Sequence, residues 1–293
     1  MLSKTAYFNK GVIIMSYHRT VRMRFPGFLE KAVTLSYDDG RSFDKRLIEI
    51  MSKHGIKGTF NLNSNNYTPD VCTIKAEELK ELYLDTGNEI AVHGVDHLSL
   101  ALTDPGEATH SIVTDRENFE RITGRIIKGM AYANGSVSDE VVVMLKNCGI
   151  KYARTTVSTE KFDMPTDWLR LPATCHHKNP RLMELAKDFI ERPPYHYFPN
   201  RSLRLFYLWG HSYEFNNDNN WEVIERFCEY IGGRDDVWYA TNVEIYDYAT
   251  AYSRLEFSVY ADTVYNPTAT DIYVELPGEK RYIIPAGATV HLD

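Results

Sequence analysis

The sequence predicts an α/β fold, a (β/α)7 barrel with a small C-terminal β appendage. Short apolar, β-rich runs alternate with segments of helical period from Ala32 to Tyr252, the pattern of β-α units in series around a parallel sheet. From about Leu255 the rhythm changes to short runs separated by turn residues, which reads as antiparallel β. The composition agrees. A chain of 293 residues with 43% hydrophobic and 25% charged residues is a packed globular one, not collagen-like, disordered or coiled-coil.

Taken in order, residues 1–30 read as an irregular or hairpin extension ending at Phe25-Pro26-Gly27. Ala32–Tyr37 is the first strand, its Val33, Leu35 and Tyr37 alternating with Thr34 and Ser36. A helix follows over Phe43–His54, with Phe43, Leu47, Ile50 and Met51 on one face, and His54 complements its C-terminal dipole. Gly58–Leu62 is a strand and Ala76–Leu84 a helix that stops before Gly87. Glu89–Val92, Ile127–Ala131 and Tyr152–Thr155 are strands, separated by helices over Glu107–Ile122 and Ser138–Cys148. Ser136 or Ser138 caps the second of these helices, and Gly149 ends it. Asn179-Pro180 opens a helix to about Ile190, with Asn as cap and Pro at the first position. Leu203–Trp209 and Val237–Ala240 are the last barrel strands, each followed by a helix, at Trp221–Ile231 and Val243–Tyr252. Closure into a barrel follows from seven such units with no edge-strand signal between them. Residues 31–253 form this barrel. The appendage, 254–293, has strands over Ser258–Val264, Asp271–Leu276, Tyr282–Ile284 and Thr289–Leu292, too few residues to fold alone.

Charge and cysteine usage exclude several classes. The net charge is −7 and no Lys/Arg block recurs, so neither a nucleic acid nor an anionic membrane surface is an expected partner. Cys72, Cys148, Cys175 and Cys228 form no C-x-x-C pair, which argues for reduced, buried thiols over a disulfide framework. Gly11–Met15 is too short for a signal-peptide core, and no run reaches the ~20 apolar residues of a membrane helix. The expected location is cytoplasmic. Twenty Tyr and four Trp offer flat faces on which sugar rings stack, though most belong to the core.

The residues just beyond each strand carry the chemistry, because barrel enzymes gather reactive groups at the C-terminal strand ends. Asp38-Asp39-Gly40 comes after the first strand, His93-Gly-Val-Asp-His97 after the third and His211-Ser-Tyr-Glu214 after the sixth. Each is weak alone: Asp-Asp-Gly also makes solvated turns, and a His after a strand is more often a satisfied rim residue. Their convergence on one rim outweighs this. One carboxylate and two imidazoles suit a borderline divalent ion with a position left for water. Asp39, His93 and His97 are the candidate ligands, for zinc first, with cobalt, nickel or manganese as alternatives. Asp38 fits the base that takes a proton from the bound water, and His211 a general acid facing it from the far side. Tyr132 and Asn63, on the same rim, are candidates to line the substrate cleft, and Asn61 sits beside them. His176-His177 reads as a loop imidazole pair, since no third ligand is spaced for a second metal. Tyr195-His196-Tyr197 is a sugar platform or loop packing.

Thr34-Leu-Ser-Tyr-Asp38-Asp39-Gly40, Gly58-Thr-Phe60 and His93-x-x-x-His97 together resemble the polysaccharide deacetylase family of the NodB type, carbohydrate esterase family 4. The resemblance covers about residues 31–249. It implies a distorted (β/α) barrel that removes N- or O-acetyl groups from a carbohydrate with one divalent metal. By the same resemblance Asp38 is the base, Asp39, His93 and His97 are the ligands, and His211 in Leu208-Trp-Gly-His211 is the general acid. Where the family's third motif carries an Arg that orients the base, this chain has Ala131, so Arg154 or Arg170 would have to substitute. Asp167-Trp168 resembles the family's Asp-Trp pair, whose Trp walls the acetyl pocket; an ordinary loop pair is the alternative. Two other functions stay open: a metal-dependent amide hydrolase acting on a non-sugar substrate, and a sugar-binding protein without catalysis. The residues do not give the oligomeric state.

Overall fold

In this computed structural model the described residues are 5–9, 12–16, 20–67, 74–192, 203–276, 278 and 280–292. Cys72 and the Tyr195–Tyr197 run lie outside them. The chain opens with β1 (Thr5–Asn9) and β2 (Val12–Ser16), an antiparallel hairpin, and with β3 (Arg22–Arg24). It continues through β4 (Lys31–Asp38), α1 (Asp44–Lys53), β5 (Gly58–Leu62), β6 (Glu89–Val92) and α2 (Pro105–Thr123). Next come β7 (Gly129–Ala131), α3 (Asp139–Asn147), β8 (Tyr152–Ser158), β9 (Leu171–Ala173), β10 (Cys175–His176) and α4 (Leu182–Glu191). After these lie β11 (Arg204–His211), α5 (Ser212–Asn217), α6 (Glu222–Ile231), β12 (Val237–Tyr239) and α7 (Asn242–Ser253). The chain ends with β13 (Glu256–Phe257), β14 (Thr263–Tyr265), β15 (Ile272–Leu276), β16 (Lys280–Ile284) and β17 (Thr289–His291).

Two compact units emerge, and the first contains Ala32 to Arg192 and Arg204 to Tyr246. Its strands run in the order β10-β11-β4-β5-β6-β7-β8-β9, with β12 beside β4. The pairs from β4 through β9, and β10 with β11, are parallel. β9 and β10, at opposite ends of that order, are consecutive pieces of one segment. Between them the Thr174 N–H donates to the Tyr207 carbonyl of β11 (2.8 Å), and on the other side the Glu160 N–H, just beyond β8, donates to the Thr174 carbonyl (2.8 Å). The ends of the sheet therefore meet in Leu171–His176. Seven of the eight residues of β4 are buried, as a parallel strand covered on both faces requires. The core is continuous, from Val33, Leu35, Phe60 and Val92 to Phe206, Leu208 and Phe227.

The second unit draws on both ends of the chain. β3 pairs antiparallel with β15, which pairs with β16, while β13, β14 and β17 form a separate three-stranded sheet. Arg24 is buried there between Glu30 (2.8 Å) and Glu275 (2.9 Å), an ion pair whose partners lie in opposite termini of the chain.

Several sequence expectations shift. Ala76–Leu84 is a 3-10 turn, Ala76–Glu78, followed by a π turn, Lys80–Leu84. The wider turn seats buried Tyr83, whose hydroxyl donates to Asp44 (2.7 Å), so tertiary packing overrides the helical period. Ser138, and not Ser136, caps α3: its hydroxyl accepts the Val141 N–H. α4 starts at Leu182, because the Asn179 side chain accepts the Arg181 N–H (2.8 Å) in a turn before the helix. The strand over Leu171–His176 is hidden in the sequence because Pro172 breaks its apolar run. Among the described residues no helix is long and apolar enough to cross a membrane.

Candidate active site

The rim formed by the ends of β4, β6, β7 and β11 gathers Asp38, Asp39, His93, His97 and His211. Asp38 is the last residue of β4, 2% exposed and gripped from two sides. Asn61 on β5 donates to its Oδ1 (2.8 Å), and the guanidinium of Arg154 on β8 donates to its Oδ2. Burial works to raise the Asp38 carboxyl; Arg154, with His93 and His211 beyond it, outweighs burial and holds it below the ordinary value. Arg154 is fully buried under Trp209, its guanidinium carbon 4.4 Å from the ring centroid. Of the two Arg candidates, Arg154 therefore meets Asp38, from the strand next to Ala131. Arg170 instead pairs with Asp167 (3.0 Å) and Asp139.

Asp39 turns the other way. Its Oδ1 lies 3.7 Å from His93 Nε2 and 3.7 Å from His97 Nε2, and all three donor atoms fall within 4.8 Å of one another. A tetrahedral ion with bonds near 2.0–2.2 Å spaces its ligands by about 3.3–3.5 Å. The set fits such an ion with little adjustment. His93 Nδ1 lies 2.9 Å from the Ala131 carbonyl, which fixes the proton there and leaves the Nε2 lone pair facing Asp39. Burial also lowers the His93 pKa, keeping the ring neutral. The backbone is strained at the same place: Asp39 (φ 77°) and His97 (φ 56°) both adopt left-handed conformations that L residues avoid. Gly40 (φ 62°) and Gly94 (φ 83°) complete the two turns. His211 closes the rim, its Nε2 4.0 Å from Asp38 Oδ2.

Residues 27–153 match the family model for polysaccharide deacetylase. Over these residues the chain is similar to the polysaccharide deacetylase family. No curated protein matches the sequence. In fold it is similar to the Puue allantoinase, with a TM-score of 0.57 at 13% identity over 76% of this chain and 91% of that one. It is equally similar to a Mycobacterium smegmatis protein described as a polysaccharide deacetylase, with a TM-score of 0.56 at 15% identity over 79% and 94%. A Streptococcus pyogenes deacetylase solved with acetate matches at 18% identity and a TM-score of 0.40, over 42% of this chain and 55% of that one.

The remaining predicted residues divide. Asn63 is buried and donates to the carbonyls of His93 (3.1 Å) and Gly94 (2.6 Å), so it holds the His93 turn rather than lining an open cleft. Tyr132 is buried too, its hydroxyl donating to the Leu169 carbonyl (2.8 Å). Trp168 is not brought to the rim. Its ring meets Tyr246 edge-on at 5.2 Å, and Tyr246 also contacts Tyr152, the first residue of β8. That places Trp168 at the end where strands begin, because the segment before β9 runs up from the start of the sheet.

Asp115 and Glu214 also support this rim, and neither stands out in the sequence. Asp115, buried on α2, accepts the N–H groups of Ser64 (2.8 Å) and His93 (3.1 Å), and its place in a polar helical run disguised it. Glu214 supplies what the His176-His177 pair lacked in sequence. Its Oε2 lies 3.2 Å from His176 Nε2, 3.2 Å from His177 Nε2 and 3.1 Å from His211 Nδ1. Burial would raise the Glu214 carboxyl, but these imidazoles and Lys178 hold it far below the carboxylate range. Burial also lowers the His211 pKa; the bond to Glu214, with Asp38 and Asp39 beyond, outweighs it and leaves the imidazole above its ordinary value.

Proposed function

We propose that this chain is a metal-dependent hydrolase that removes acetyl groups from an N-acetylated or O-acetylated carbohydrate. The observation that carries this reading is a buried carboxylate, Asp38, held anionic by Arg154 directly beside the three-donor set Asp39, His93 and His97. A divalent ion held by those three, zinc before cobalt, nickel or manganese, supplies Lewis-acid polarisation of the acyl carbonyl and acidifies water. Asp38 is the base that takes the proton of the attacking water, since Arg154 and Asn61 keep it ionised and oriented. His211 faces Asp38 and returns a proton to the amine or alcohol leaving as the C–N or C–O bond breaks. Asn63 and the Ala131 carbonyl keep His93 in place. In this reading residues 31–253 are the deacetylase barrel, preceded by an extension and followed by the β appendage. Cys148, Cys175 and Cys228 are buried free thiols, as a cytoplasmic setting permits.

A second reading, hydrolysis of a non-sugar amide, is favoured by the fold likeness to an allantoinase, which is as high as that to the deacetylase. Assay of the zinc-loaded protein against N-acetylglucosamine oligomers, acetylated xylan and simple cyclic amides separates them. Acetate release from either saccharide is the expected result. Turnover of cyclic amides alone would favour the second reading, and a metal-replete protein inert on all three would overturn both.

A further inference from the structure

Beyond the deacetylase centre, the crowding around Glu214 is unusual. Four nitrogens lie 3.1–3.2 Å from its Oε2: His211 Nδ1, the His211 backbone N–H, His176 Nε2 and His177 Nε2. One carboxylate oxygen offers two lone pairs, so as a hydrogen-bond acceptor it is oversubscribed. His177 shows the consequence. It is 2% exposed, and neither ring nitrogen finds hydrogen-bond geometry. Gly210 is what allows this packing: a Cβ there would fall 2.1 Å from His177 Nδ1.

We propose that His176, His211 and Glu214 form a second divalent-cation site, separate from Asp39, His93 and His97. Ligand atoms of the three residues lie within 4.8 Å of one another, and the contacts to Glu214 Oε2 fall just inside the spacing of about 3.3–3.5 Å expected around zinc. Two imidazoles and one carboxylate are a donor set zinc accepts, and a central cation relieves the crowding by turning donors toward itself. His176 must give up one contact for this. The Lys178 N–H donates to its Nδ1 (3.1 Å), which places the ring proton on Nε2. That contact is exposed, so water takes over the N–H and the proton moves to Nδ1, freeing Nε2 for the ion. His177 stands behind the site with its own lone pair.

Because His211 Nδ1 belongs to this site, filling it prevents the ring from becoming imidazolium and leaves only a much weaker acid at Nε2, a consequence that rests on the function proposed above. The test titrates zinc into the full chain after chelator treatment, by calorimetry and by competition with a chromophoric chelator. Two equivalents are expected in the wild type and one in Glu214→Gln and in His176→Ala. Asp39→Ala is expected to keep the equivalent that those variants lose. Zinc scattering from soaked crystals, placed between His176, His211 and Glu214, gives the same answer without any variant. Saccharide turnover is expected at one equivalent and should fall by about 10²-fold or more as the second binds. A single equivalent in the wild type, or two retained in Glu214→Gln, would overturn the site. Two equivalents in a protein with no turnover would leave the site standing and the deacetylase reading fallen.

Discussion

The barrel unit buries a carboxylate at each end, and the two behave oppositely. Asp38, at the end of β4, faces a guanidinium and two imidazoles and is held below the ordinary carboxylate value. Glu89, at the start of β6, accepts from the hydroxyls of Thr59 (2.7 Å) and Tyr152 and from the Val243 N–H (2.9 Å). No cation is among those partners, and burial pushes its carboxyl up from 4.5 to about 7. Burial works to raise both groups, so the neighbour decides the charge. A carboxylate paired with Arg is a ready base; one bonded only to neutral donors is a structural node. The strained turns at Asp39 and His97 belong to the first end alone. The rim concentrates strain and charge, whereas the opposite end concentrates packing.

Breaking the charged end should have the largest effect. On the function proposed above, Asp38→Asn keeps the volume and the proposed metal ligands but removes the proton acceptor, and turnover should fall by about 10²–10⁴-fold with zinc content unchanged. Kinetics beside elemental analysis check this, and wild-type turnover in a zinc-replete variant would remove Asp38 from the chemistry.

Arg154→Met tests the source of the difference. It leaves a buried carboxylate without its cation, and breaking such a pair costs about 3–5 kcal/mol. Urea denaturation should show that loss in the single variant and recover much of it in Arg154→Met with Asp38→Asn. Equal losses in both would mean that Arg154 serves packing under Trp209 and not the charge of Asp38.

Glu89 gives the pH counterpart. A carboxyl whose folded value is raised contributes stability that is full below 4.5 and is lost as pH rises through about 7. Thermal midpoints should therefore fall between those limits, with Asp44 and Asp115, both raised to about 7, adding to the slope. Glu89→Gln should flatten the fall by on the order of 1 kcal/mol. An unchanged slope would show that Glu89 stays ionised.

Trp168→Ala should have the smallest effect on chemistry. Its ring packs on Tyr246 at the structural end, so kcat should stay within about twofold while stability drops by roughly 3 kcal/mol or less, the range for a half-exposed aromatic. A tenfold loss of turnover at unchanged stability would return Trp168 to the acetyl pocket.

By itself the sequence determined the alternation of strands and helices, the placing of Asp38, Asp39, His93, His97 and His211 after strands, and the family they resemble. These are local facts: periodicity sets the element, and the residue after a strand inherits the rim. Other features were decided only by the tertiary structure. Ala131 and Arg154 are neighbours across β7 and β8, though 23 positions apart in sequence, so the guanidinium reaches Asp38 from a strand where no motif would seek it. Asp167-Trp168 looked like a pocket wall because adjacency in a motif says nothing about which end of a strand a segment occupies. Glu214 joined His176 and His177 because β10 and β11 lie side by side, a register fixed by backbone hydrogen bonds. Strand pairing brings distant residues within bonding distance, and the charges that result depend on burial and neighbours that no single stretch of sequence contains.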